Sequence, residues 1–92
     1  MSKKERFTSV WDALEDDPVR QENLKPRSAL MIEIAERIKE EGLTQAQAAE
    51  VLHVTQPRVS ALLRGKINDF RLDSLVDMAH RLGMHVSINV AA

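Results

Sequence analysis

The chain has 92 residues and no cysteine, so it fits one domain with a modest core and excludes disulfide bonds, thiolate metal sites and thiol nucleophiles. No apolar run approaches the roughly 18 residues of a membrane span, and the N-terminus lacks the apolar stretch of a signal peptide, so we expect a cytoplasmic protein. The formal net charge of −1, from 13 Lys and Arg residues against 14 Asp and Glu residues, does not by itself indicate a nucleic-acid ligand.

The N-terminal part of the chain is acidic. Residues 12–22 contain five acidic residues and one arginine, a net charge of −4. Pro26 is expected to interrupt any helix that runs from this segment into the rest of the chain. We therefore interpret residues 1–25 as an acidic arm and residues 26–92 as the folded domain. The arm either becomes ordered only on a partner or lies on the domain as a short helix anchored by Trp11.

Two helices are predicted from apolar residues that recur every three or four positions. One extends from Arg27 to Glu41, and the other covers Leu72–Leu82. Gly42 and Gly83 follow these segments, and glycine readily takes the left-handed backbone that ends a helix. Both helices are therefore expected to place one apolar face in the core.

Two short helices joined by a tight turn are predicted between the longer ones. Thr44 and Gln47 have the spacing of a capping box for a helix that extends to Leu52. Thr55 can cap a second helix, which covers Gln56–Leu63. Two helices of this length and connection are typical of a helix-turn-helix, whose second helix enters the major groove of DNA.

The second short helix is expected to turn Val59, Leu62 and Leu63 toward the core. The remaining side chains then face outward, namely Gln56, Pro57, Arg58, Ser60, Ala61 and Arg64. Glutamine and arginine at a capped helix start are suited to base and phosphate contacts. The charge distribution agrees, because the stretch between Glu50 and Asp69 has no acidic residue and three cations: Arg58, Arg64 and Lys66.

The last segment changes to the alternating pattern of a half-buried β-strand. Apolar residues occupy every second position, namely Met84, Val86, Ile88 and Val90. Such a strand needs a backbone partner, which is either the segment Phe7–Val10 or the same strand of a second chain. We favour the second, since a two-fold strand pair gives the homodimer that operator binding requires. The Leu72–Leu82 helix is the alternative dimer surface.

Residues 43–65, LTQAQAAEVLHVTQPRVSALLRG, resemble the helix-turn-helix of the XRE family, which is related to lambda-type repressors and Cro. Residues 23–90 resemble a subgroup of HigA-like antitoxins found beside RelE- and HigB-like toxins. The resemblance implies a mainly α, lambda-repressor-like bundle with one C-terminal β-strand paired across a dimer. It also implies that Thr55 caps the recognition helix and that the groove-facing positions are Gln56, Pro57, Arg58 and Ala61. Gln56 and Arg58 would contact bases, and four residues would hold the phosphate backbone: Gln45, Ser60, Arg64 and Lys66.

Two positions depart from the pattern of the family. His53 stands in the turn where relatives usually have glycine, and a left-handed backbone there costs a non-glycine residue about 1 kcal/mol. Arg71 stands where relatives often have a serine that caps the next helix. Because arginine cannot cap in this way, Asn68 or Asp69 is expected to do so, which would leave Arg71 available for a phosphate.

The residues and the resemblance together imply a sequence-specific DNA-binding repressor. The function favoured by the resemblance is that of an antitoxin in a type II toxin–antitoxin pair. Such an antitoxin neutralises a basic RelE/HigB-like toxin and represses its own operon at an inverted repeat. The acidic arm would complement that toxin, with candidate contacts at Val10, Trp11, Leu14, Asp16 and Asp17. The alternative is a stand-alone or phage-borne XRE-family regulator.

Two other classes of function are weighed against DNA binding. The three histidines have no metal-ligand spacing, and the chain has neither a glycine-rich phosphate loop nor a nucleophile with a base at a readable spacing. We therefore expect no enzymatic activity, cofactor or metal. A pure interaction protein, whose helix-turn-helix no longer binds DNA, is the second rival and would use the acidic arm and the apolar strand.

Overall fold

A computed structural model describes residues 18–91 of the chain. These residues form four α-helices and a single 3₁₀ turn before the last of them: α1 (Pro18–Glu40), α2 (Gln45–Leu52), α3 (Gln56–Leu63), the turn Ile67–Asp69 and α4 (Leu72–Arg81). The five candidate toxin contacts, Val10, Trp11, Leu14, Asp16 and Asp17, lie outside the described residues, as does the strand partner considered at Phe7–Val10.

The helix α1 is longer than the sequence predicts. It begins at Pro18, where proline suits the first turn because its nitrogen needs no hydrogen-bond partner. It then continues through Pro26, so the prediction that Pro26 interrupts the helix is wrong. Proline has no N–H, so one backbone hydrogen bond of the helix is missing there. Arg27 is held from outside the helix, since its Nη1 donates to Phe70 O at 3.2 Å. The boundary suggested between residues 25 and 26 therefore lies within a helix.

The short helices begin with the caps that the sequence predicts. Gln47 N donates to Thr44 Oγ1 at 3.1 Å, and Thr44 N donates to Gln47 Oε1 at 2.9 Å, which completes a capping box. Arg58 N donates to Thr55 Oγ1 at 3.3 Å at the start of α3. His53 takes the left-handed conformation expected of the turn, with φ of 59°. Local interactions thus fix both ends of the connection between α2 and α3.

The start of α4 differs from the expectation. Its N-cap residue is Arg71, which makes no side-chain capping bond. Asn68 and Asp69 lie too early in the chain to cap α4, because the 3₁₀ turn Ile67–Asp69 contains them both. Arg71 instead pairs with Asp73, whose Oδ1 lies 3.3 Å from the Arg71 Nε.

The core is almost entirely aliphatic and draws on all four helices. In it α1 packs mainly against α4, and α2 packs mainly against α3. Phe70, in the segment before α4, is the one aromatic side chain in the described core and is 1% exposed. The other buried residues are Met31, Ile34, Ile38, Ala48, Ala49, Leu52, Val59, Ala61, Leu62, Leu75, Met78, Ala79 and Leu82. The amphipathic patterns of the sequence predicted most of this set.

The C-terminal segment forms no β-strand, so the strand predicted at Met84–Val90 is not seen. Met84 N donates to Ala79 O at 3.0 Å and thereby closes the end of α4. Met84 and Val86 pack partly against the core, whereas Ile88 is 70% exposed and Val90 is 92% exposed. An extended segment becomes a strand only beside a second backbone, and the described part of this single chain offers none to it.

Candidate nucleic-acid interface

The helices α2 and α3 pack closely against each other. Ala48 and Ala49 are buried on α2, and Val59 and Leu62 are buried on α3. Two consecutive alanines let the backbones approach, and the larger side chains of α3 fill the space below the helix. The left-handed backbone of His53 ends α2 and turns the chain toward α3. As a result, α3 lies on the surface of the domain with one long side open to solvent.

The buried side of α3 differs from the predicted one. Ala61, predicted to face the groove, is 8% exposed and belongs to the core, whereas Leu63, predicted to face inward, is 40% exposed. Those two predictions are wrong. An alanine can lie where a helix approaches its neighbours, and hydrophobicity alone does not reveal which residue takes that position.

The open side of α3 carries three polar residues spaced four apart. Successive residues of an α-helix are rotated by about 100°, so Gln56, Ser60 and Arg64 fall on one row along the helix. Gln56 and Arg64 are exposed, and Ser60, between them, is half-buried. Pro57 is also exposed and lies in the first turn. We refer to Gln56, Ser60 and Arg64 as the polar row.

Two further candidates flank the polar row in sequence. Lys66 follows the end of α3 and is exposed, and Gln45 is the exposed first residue of α2. Arg64 makes a long hydrogen bond within its own helix, from Nε to Ser60 O at 3.4 Å, and its side chain remains at the surface. Thr55 is exposed, but its hydroxyl is occupied by the cap of α3.

Arg58 is directed away from the polar row. Its Nη1 donates to Asp69 O at 2.8 Å, and its guanidinium carbon lies 4.4 Å from the centroid of the Phe70 ring. The residue is half-buried, on the inner side of the first turn of α3. The sequence predicted Arg58 in the groove because an arginine at a capped helix start suits base and phosphate contacts and because the family resemblance implies a groove-facing residue there. The spacing between Arg58 and Phe70 gave no sign of their contact.

A second surface feature lies between α1, α4 and the C-terminal segment. It is an apolar groove with a volume of about 300 Å³. The large apolar side chains that line it are Leu30, Leu72, Val76, Val86 and Ile88. Of the four candidate dimerisation residues, Val86 and Ile88 therefore reach the groove, whereas Met84 and Val90 are not among its lining residues.

The histidines and carboxylates of residues 18–91 are dispersed. No group of three or more His, Asp or Glu side chains in that range could hold a metal ion. No helix in the same range is both long and apolar enough to span a membrane.

Comparison with known proteins agrees with the arrangement of α2 and α3. Residues 13–91 match the model of a family described as a helix-turn-helix domain. The match includes all four helices described above, and it begins five residues before α1. A search of curated proteins found no match to the chain.

Proposed function

The chain belongs to a family of helix-turn-helix domains, and from that premise we propose that it is a sequence-specific DNA-binding repressor. The observation that carries the proposal is the polar row on the open side of a capped α3. In helix-turn-helix proteins the second helix lies in the major groove with its first residues against the base edges. Gln56 and Pro57 occupy that end of α3.

Gln56 is the residue proposed to read bases. It is exposed on the first turn of α3, and a glutamine amide can both donate to and accept from adenine in the major groove. Pro57 adds an exposed apolar surface beside it.

The other polar candidates are proposed to hold phosphates. Arg64 and Lys66 are exposed cations at the far end of α3, and Ser60 lies between them and Gln56 on the polar row. Gln45 is at the N-terminus of α2, where backbone N–H groups without helical partners favour an anion. These contacts would set the register of α3 without reading sequence.

The net charge of −1 is compatible with this role. Residues 51–68 carry three cations and no acidic residue, whereas residues 12–22 carry a net charge of −4. Within about 10 Å, the screening length at moderate salt, a phosphate experiences the local charges more than the total. DNA binding and an acidic segment can therefore coexist in one small chain.

We infer that the protein acts as a homodimer through the apolar groove and the C-terminal segment. Ile88 lines the groove and is 70% exposed, and Val90 beyond it is 92% exposed. Pairing of residues 84–90 with the same residues of a second copy would satisfy the strand backbone and cover these side chains. The groove also includes Leu72 and Val76 of α4, so both dimer surfaces considered from the sequence contribute to one patch. Two copies would then place α3 in successive major grooves, about 34 Å apart on an inverted repeat.

The more specific role proposed is that of an antitoxin of the HigA-like, XRE-related subgroup. The support is the resemblance of residues 23–90 and the acidic charge of residues 12–22, which complements a basic RelE/HigB-like toxin. Autorepression of the operon would follow from operator binding by the same chain. The second candidate, a stand-alone or phage-borne regulator, needs only the DNA-binding surface.

The DNA-binding proposal is tested by selecting bound sequences from a random DNA pool and titrating the enriched operator against the full chain. We expect Gln56→Ala to lose discrimination at one base pair of each half-site, while Lys39→Ala, on the exposed side of α1, leaves binding unchanged. Failure of the wild-type chain to enrich any sequence would contradict the proposal.

The antitoxin role is tested with the small basic protein encoded by the gene next to that of this chain. Calorimetry should detect a complex that weakens when Asp16 and Asp17 are both changed to asparagine, with operator affinity unchanged. The absence of a neighbouring basic protein would favour the stand-alone regulator.

A further inference from the structure

The segment Ile67–Phe70 accepts hydrogen bonds from arginines of two different helices. Arg27 of α1 donates from Nη1 to Ile67 O at 3.5 Å and to Phe70 O at 3.2 Å. Arg58 of α3 donates from Nη1 to Asp69 O at 2.8 Å. The same short segment therefore connects the first helix of the domain to the first turn of α3.

Arg58 is held by two contacts of different kinds. The Asp69 carbonyl accepts a charge-assisted hydrogen bond in the plane of the guanidinium, and the Phe70 ring lies 4.4 Å from its central carbon, within the range of a cation–π contact. Since Phe70 is 1% exposed, the ring is fixed by the core. A guanidinium that is bonded on one side and stacked on another has little freedom to swing into a groove.

We propose that Arg58 is a positioning residue, which orients the first turn of the recognition helix through Asp69 and Phe70 and does not itself read a base. This inference rests on the proposed DNA-binding function and refines it. Base discrimination at the start of α3 then falls on Gln56, the exposed neighbour of Pro57. The contact of Arg58 with Phe70 would keep Gln56 at a fixed height and angle relative to the rest of the domain.

The two roles of Arg58 differ in what its removal does to the preference for sequence. A bidentate arginine–guanine contact gives roughly 5- to 150-fold discrimination at one base pair. Loss of a reader therefore abolishes the preference at its own base pair, whereas loss of a residue that positions Gln56 lowers affinity for the operator and affects the preference only at the base pair that Gln56 reads. A phosphate contact would instead lower the salt slope by about one unit.

The experiment titrates the operator and its single-base variants with four full-length proteins: Arg58→Ala, Arg58→Lys, Phe70→Leu and the double variant that combines Arg58→Ala with Phe70→Leu. Circular dichroism shows that each protein is folded at the temperature used. We expect Arg58→Ala to weaken operator binding about 10-fold or more, with the salt slope retained and with no base preference lost beyond the one that Gln56 reads. Arg58→Lys should recover part of the affinity. The double variant should bind no worse than the weaker single variant, because both changes break one contact.

Three results would overturn the proposal. They are loss of preference in Arg58→Ala at a base pair that Gln56→Ala leaves unaffected, a lower salt slope, or a lower melting temperature with unchanged operator affinity. If Phe70→Leu does not fold, Arg58→Met is used in place of the Phe70→Leu and double variants, because methionine can pack on the ring but has neither a charge nor a hydrogen-bond donor. An operator affinity of Arg58→Met equal to that of Arg58→Lys would contradict the positioning role. Gln56→Ala separates this outcome from failure of DNA binding itself, because it should lose base preference whichever role Arg58 has.

A direct measurement of the contact completes the test. Protons above the face of an aromatic ring resonate upfield, so the side-chain NMR signals of Arg58 should be shifted in the free protein and should remain so when the operator is added. Loss of the shift on DNA binding would show that Arg58 leaves Phe70 and would overturn the proposal.

Discussion

Arg27 and Phe70 are 43 residues apart in sequence, yet the Arg27 Nη1 lies 3.2 Å from the Phe70 carbonyl oxygen. This hydrogen bond ties the turn of α1 that follows Pro26 to the segment that precedes α4. Hydrogen bonds from a charged donor contribute about 1.5–3 kcal/mol when they are shielded from water, and Arg27 is half-buried. The pair anchors α1 to the rest of the domain one residue after Pro26.

We predict that Arg27→Ala lowers the free energy of unfolding by about 1–2 kcal/mol, since it removes this bond and the weaker one to Ile67. Urea denaturation followed by circular dichroism gives the value. Lys39→Ala removes an exposed cation from the same helix and should change stability by less than about 0.5 kcal/mol. Equal effects of the two substitutions would show that the bond contributes nothing.

The Thr55 cap is predicted to stabilise α3. Thr55→Ala leaves the Arg58 N–H without its Oγ1 acceptor and should cost about 1 kcal/mol of unfolding free energy. Thr55→Ser keeps an oxygen at this position and is the matched control, with a much smaller expected loss. The midpoints of urea denaturation compare the two variants, and a serine variant as unstable as the alanine one would argue against the cap.

His53 is predicted to carry backbone strain. Its φ of 59° is the single positive value among the described non-glycine residues. His53→Gly should stabilise the protein by about 0.5–1 kcal/mol, because glycine takes this conformation without a Cβ clash. His53→Val should destabilise it, since a β-branched residue tolerates the left-handed region poorly. Thermal denaturation of the three proteins gives the order, and a valine variant as stable as the glycine variant would contradict the prediction.

Arg64 is predicted to contact a phosphate. Arg64→Ala should weaken binding to all DNA sequences alike and lower the slope of log K against log salt by about one unit. Arg81→Ala is the matched control, because Arg81 is an exposed arginine at the end of α4 and outside the proposed interface. Fluorescence anisotropy at several salt concentrations measures both slopes. An unchanged slope for Arg64→Ala would remove this residue from the interface.

The dimer is predicted to depend on Ile88. Ile88→Asp places a charge in the apolar groove without disturbing the core, since the side chain is 70% exposed in the single chain. Analytical ultracentrifugation should find a folded monomer, with weaker operator binding. Asn89→Asp adds the same charge to the neighbouring exposed residue and should leave the dimer intact. A dimeric Ile88→Asp protein would place the interface elsewhere.

The caps and turns follow from the sequence because their partners are close in the chain. The bonds of Thr44 with Gln47 and of Thr55 with Arg58 each span three residues. The left-handed residues His53, Gly42 and Gly83 likewise end helices through neighbouring backbone groups. Such interactions depend on residue type and spacing, which can be read directly from the amino-acid sequence. They define the helix-turn-helix.

The structure of the site beyond these local elements depended on tertiary contacts. Packing decided that Ala61 is buried and Leu63 is exposed, and contacts with residues distant in sequence hold Arg27 against the Phe70 carbonyl and Arg58 on the Phe70 ring. The strand predicted at 84–90 did not form because a β-strand needs a second strand beside it for backbone hydrogen bonds. The alternating apolar pattern does not reveal whether such a partner is present. The sequence by itself thus determined which helices form and how they begin. Only the folded chain decided which side of each helix is open and which cation is free to meet DNA, because these depend on groups that meet across 11 to 43 residues.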